Sequence, residues 1–98
     1  MSSAPNPAQD PIQTFLPWAN EDERKLRQRL LKAQTYATGL SASATSTRAQ
    51  GLYRLIVTVA GERAFAPASC DELKDTADGL VRLLMVAQMF ERTEGAHG

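Results

Sequence analysis

The chain has 98 residues, 43% apolar and 22% charged, with Lys plus Arg equal to Asp plus Glu and a pI near 6.6, which leaves room for one small domain and no second one. Zero formal net charge provides no global field to draw the chain onto polyanions, so nucleic acid is not favoured as the main partner. The single cysteine, Cys70, excludes an internal disulfide, and the longest apolar run, broken by Arg82, is about half the roughly 20 residues of a membrane-spanning helix. The expected setting is a reducing cytoplasm, with neither signal peptide nor membrane span.

Residues 1–12 combine Pro5, Pro7 and Pro11 with small polar residues and read as a disordered tail, because they can bury too little surface to offset the entropy of ordering. The domain is expected over 13–92, with a second tail over 93–98. Phe15, Leu16 and Trp18 cluster around Pro17 and are costly to leave in water. Either they fold back on the domain or they form a short motif that docks on a partner.

A helix is expected from Asn20 to Gly39. Asn20 is a good N-cap, Glu23 stands three residues on as in a capping box, and Glu21 and Asp22 put negative charge at the positive end of the helix dipole. Glu21 to Lys25 and Glu23 to Arg27 are i,i+4 ion pairs. Leu26, Leu30, Ala33, Ala37 and Leu40 recur at alternating spacings of four and three, the seam of a helix packed along another, and Leu31 and Tyr36 widen it. Lys25, Arg29 and Lys32, with Arg27, form a local basic face that is either solvated and paired with the acids before it or able to touch phosphate or an acidic partner.

Residues 40–50, opened by Gly39, are rich in Ser, Thr and Ala and read as a mobile connector. Beyond Gly51, Tyr53, Leu55, Val57 and Val59 alternate with polar positions and Ile56 to Val59 is β-branched throughout, which predicts a β-hairpin over 52–66 turning at Gly61. Leu52, Leu55, Ile56 and Val59 also fit a period of 3.6, so a short helix is the competing reading. A last helix over 70–91 follows from the capping box Ser69 to Glu72, with Leu73, Ala77, Leu80, Leu84 and Ala87 repeating the seam of the first helix. Gly79 within it suits a close approach by a neighbouring backbone.

From Leu80 to Phe90 apolar side chains take nearly every position, with Arg82 and Gln88 as the polar ones. A helix apolar on all sides is buried on all sides, and so short a chain cannot surround it alone. A second molecule is therefore expected to cover part of the set Leu80, Val81, Leu83, Leu84, Met85, Ala87, Gln88, Met89 and Phe90. For catalysis the residues offer little. Cys70 in the first turn of a helix is the one candidate nucleophile, but the sole histidine, His97, lies in the C-terminal tail. No His, Cys, Asp or Glu spacing suits a metal and no glycine-rich loop suits a cofactor phosphate, so no catalytic, metal or cofactor residue is assigned.

The order Gly61-Glu-Arg-Ala-Phe-Ala-Pro-Ala-Ser-Cys-Asp-Glu-Leu-Lys-Asp-Thr-Ala-Asp-Gly-Leu80, a turn glycine, one aromatic, a cap serine and helix leucines, resembles the head–tail joining protein W family of tailed phages. The resemblance implies a helix–hairpin–helix fold and a virion connector subunit. The Ser/Thr-rich connector is a departure, since that family has almost none. From the residues themselves the expectation is an α+β fold, helix–β-hairpin–helix, with an all-α helical-hairpin dimer as the alternative. The expected function is that of a small cytoplasmic regulator, not an enzyme, which forms a homodimer through its last helix and sequesters or blocks a second protein, for example a transcriptional regulator. A phage structural role is the alternative, and weak nucleic-acid binding through Lys25, Arg29 and Lys32 the third.

Overall fold

The computed structural model describes residues 11–94; residues 1–10 of the tail expected over 1–12, and His97, lie outside them. Four helices follow one another: α1 (Pro11–Phe15), α2 (Glu21–Ser43), α3 (Thr47–Arg63) and α4 (Cys70–Glu94). The long three form an up-down-up bundle. Side-chain ties give the directions: Gln34 donates to the Val57 carbonyl at 3.2 Å and Gln50 to that of Ser41 at 3.5 Å, so α3 returns antiparallel along α2. Arg29 lies 3.8 Å from Asp78 and Gln88 3.4 Å from the Tyr36 hydroxyl, so α4 runs parallel to α2.

The expected α+β fold is thus corrected to all-α, with no strand among the described residues. In place of the hairpin over 52–66 stands most of α3. Ala49, Tyr53, Ile56 and Ala60 are buried at spacings of four, three and four, the same seam that runs along its two neighbours. Two of those four are alanines, which an apolar pattern drawn from large side chains overlooks. The β-branched run costs only a few tenths of a kcal/mol per residue in helix propensity. A helix seated between two others buries Ile56 fully and Val57 and Val59 in part, whereas an isolated two-stranded hairpin is marginal in water. Gly61 makes no turn. It lies within α3, where the end of the Gln34 side chain occupies the space a Cβ would take. The hairpin on which the likeness to the head–tail joining proteins rested is accordingly absent.

The mobile connector is corrected as well. α2 continues through Gly39 to Ser43, and only residues 44–46 link it to α3. Ser46 is an N-cap, its hydroxyl accepting from the Ala49 N–H at 3.1 Å, so a stretch that reads as linker holds the start of a helix. At the other side of the chain α1 begins at Pro11, and Ile12, assigned to the N-terminal tail, is fully buried.

The caps expected for α2 and α4 are present. Asn20 accepts from the Glu23 N–H at 2.8 Å. Ser69 and Glu72 make a reciprocal capping box, hydroxyl to N–H at 3.1 Å and carboxylate to N–H at 2.8 Å. The seams appear as read: Leu30, Ala37, Leu73, Ala77, Leu80 and Ala87 are buried, and Leu26, Ala33, Leu40 and Leu84 pack against them. Gly79 departs from expectation, since no neighbour lies within 4 Å of where its Cβ would be.

α3 is held at both ends by charges that match its dipole. At its C-terminal end Arg27, buried from α2, donates to the carbonyls of Ala64 at 2.9 Å, Ala66 at 2.8 Å and Arg63 at 3.4 Å, while Glu23 pairs with it at 2.9 Å. Those of Arg63, the last residue of α3, and Ala64, its C-cap, are among the carbonyls that a helix end leaves without partners, and Ala66 lies just beyond. At the N-terminal end the Glu91 carboxylate of α4 accepts from the N–H groups of Thr45 and Ser46, at 3.0 and 2.9 Å, and from the Thr45 hydroxyl. The Thr45 hydroxyl, then the two backbone donors, hold the Glu91 carboxyl below the usual carboxylate range. Beside it, burial first and the negative charge of Glu91 second push the Tyr53 phenol up.

Candidate interaction surface

α4 buries one side and displays the other. Of its apolar run, Leu80 and Ala87 belong to the core, and Leu83, Leu84 and Phe90 pack partly against it. Phe90 is further covered by the Arg48 guanidinium, 5.5 Å from its ring centroid. Gln88 is half-buried and donates to Tyr36. That leaves Val81, Met85 and Met89, which are 46%, 61% and 52% exposed on successive turns of one face. Tyr36 flanks this stripe from α2; it is exposed there instead of widening the seam of that helix. Val86 is also exposed. The set expected to associate is therefore split by the bundle, with its outer third left uncovered.

A second apolar surface closes the pole where the chain enters the bundle. Ile12 is the anchor and Leu16 packs partly against the core, but Phe15 and Trp18 remain 66% and 72% exposed. The Phe15 ring meets Phe65 edge to face, centroids 5.8 Å apart. Between the α1–α2 turn and the segment following α3, Leu16, Trp18, Phe65, Pro67 and Ala68 line a cleft of about 340 Å³ with Glu23 and Arg27 in its wall. Of the segment expected either to fold back or to dock, Leu16 packs inward and Phe15 and Trp18 face outward.

The remaining candidates carry less. Lys25 faces Glu21 at 3.6 Å, Arg27 pairs with Glu23 and Arg29 faces Asp78 at 3.8 Å, so three of the four cations of the basic face already stand beside acids. Lys32 is exposed on the same helix. Cys70 is the first residue of α4 and is half-buried. No group of His, Cys, Asp or Glu that could hold a metal occurs among the described residues, and no helix among them is long and apolar enough to cross a membrane.

Several residues that organise these surfaces gave little sign in the sequence. Arg27 looked like one more cation of a basic face, and Glu91 drew no reading at all. Their partners are backbone groups remote in sequence, which no local pattern marks. Ile12 had a signal, an isolated aliphatic residue four before Leu16, which is the spacing of one helical face.

No protein-family model, curated protein or solved structure matches the chain.

Proposed function

We propose that this is a small, non-enzymatic protein-binding regulator that pairs with a second copy through the outer face of α4 and blocks or sequesters another protein. The observation that carries the reading is the stripe Val81, Met85 and Met89, aligned on the exposed face of a helix whose other side is core. Burying one such side chain fully contributes about 1.5–3 kcal/mol, and aligned exposed apolar groups are the usual mark of a protein contact. Methionine suits such a role because its flexible thioether adapts to the surface it meets. The aromatic pole of Phe15 and Trp18 is then the surface left for the second protein, since exposed aromatic side chains are frequent anchors of binding.

Light scattering behind a sizing column tests the reading. The wild-type protein is expected at the mass of two chains. Met85→Glu forces a charge into a desolvated contact and is expected to elute as a monomer with an unchanged helical spectrum, because the side chain is exposed in the single chain. A wild-type monomer at high concentration, or a Met85→Glu variant that stays paired, rejects it.

A further inference from the structure

The outer face of α4 reads nearly the same in both directions. Met85 has Val81 four residues before it and Met89 four after; Asp78 stands seven before it and Arg92 seven after. Four and seven residues are close to one and two helical turns, so all five side chains share one face, and all five are exposed. We infer that the occupant of this face is the same face of a second copy lying antiparallel, with the two-fold axis passing at Met85. The inference rests on the self-association reading above and adds the orientation of the pair.

Charge decides the orientation. With the helices antiparallel, Met85 meets its own copy, Val81 meets Met89 of the second copy, and Asp78 comes beside Arg92 of the second copy, twice over by symmetry. With the helices parallel, Asp78 meets Asp78 and Arg92 meets Arg92 at the two ends of the same stripe, and like charges set opposite each other suppress that pairing. The ion pair of Asp78 with Arg29 is loose, at 3.8 Å with both side chains about half exposed, and leaves the carboxylate room for another cation. Asp78 to Arg92 spans about 21 Å of helix at 1.5 Å per residue.

The flanks fit the same arrangement. A two-fold axis perpendicular to both helices brings the α2 side of one copy against the α2 side of the other. Tyr36 of each copy, exposed beside Gln88, then adds to the covered area. The aromatic pole lies at the N-terminal end of α4, next to Phe65, Pro67 and Ala68. An antiparallel pair therefore carries its two Phe15 and Trp18 poles at opposite ends, both open to a further protein.

Charge exchange tests the orientation, read by sedimentation equilibrium at low ionic strength where exposed pairs are least screened. Asp78→Arg alone and Arg92→Asp alone each turn two attractions into two repulsions and are expected to weaken pairing roughly tenfold. An equimolar mixture of the two variants restores both attractions and is expected to pair like wild type, as is the chain carrying both changes. A second measurement is independent of charge: in a Cys70→Ser background, Val81→Cys mixed with Met89→Cys is expected to oxidise to the mixed disulfide in preference to either like pair. If wild type pairs but the single charge variants pair as tightly, or if the Val81→Cys copies link to one another preferentially, the antiparallel register is overturned while self-association stands. A wild-type protein that stays monomeric overturns both.

Discussion

Arg27 shows how far one side chain can act when its partners are backbone carbonyls. Its guanidinium reaches three carbonyls at and just beyond the end of α3 and the Glu23 carboxylate, a set that the flat, many-donor group can serve and a lysine ammonium cannot. Arg27→Met is expected to destabilise the fold by about 3 kcal/mol, because it leaves buried acceptors without donors. Arg27→Lys should recover only part of that in urea denaturation, and equal midpoints for Arg27→Lys and wild type would reject the account. Glu91 and Glu72 make the stability depend on acid. Hydrogen bonds hold both carboxyls below the ordinary value of 4.5 in the folded chain. Their contribution is therefore present above about that pH and is lost as pH falls through the lower folded values. Melting temperature should fall on acidification below 4.5, and Glu91→Gln should flatten the fall; an unchanged acid slope in that variant would show that Glu91 is not the group responsible. Trp18, at 72% exposure, should emit as exposed indole in the native state and shift little on unfolding.

At the scale of the element, the caps and the glycine in α4 are the points where local chemistry decides. Ser69 closes the first turn of α4 through its hydroxyl, so Ser69→Ala should cost about 0.5–2 kcal/mol, read as a lower denaturation midpoint without loss of pairing. Gly79 has empty space where a Cβ would stand. Gly79→Ala should therefore stabilise by about 0.5–1 kcal/mol through reduced backbone entropy of the unfolded chain, and a decrease would mean that something packs there. α3 teaches the opposite lesson about local signals. The alternation of Tyr53, Leu55, Val57 and Val59 suggests a strand, but Leu55 is exposed and the face that matters runs through Ala49, Tyr53, Ile56 and Ala60. Once α2 and α4 present matching seams, the helix buries more than a hairpin can, and the β-branched run is carried along.

At the scale of the whole molecule, the proposed pairing through α4 would make stability a function of concentration. Melting temperature should rise with protein concentration for wild type and stay constant for Met85→Glu, and parallel behaviour of the two would argue that the stripe is not the contact. By itself the sequence determined what depends on neighbours along the chain: the starts of α2 and α4 at Asn20 and Ser69, the ion pairs Glu21 to Lys25 and Glu23 to Arg27, and the two apolar seams. Those features arise from groups three or four residues apart, and such spacing can be read directly. Only the tertiary structure decided that residues 47–63 are a helix, that Arg27 and Glu91 hold its two ends, and which third of the Leu80 to Phe90 run faces outward. Each of these depends on a partner far away in sequence, whose position is set by the packing of all three long helices together.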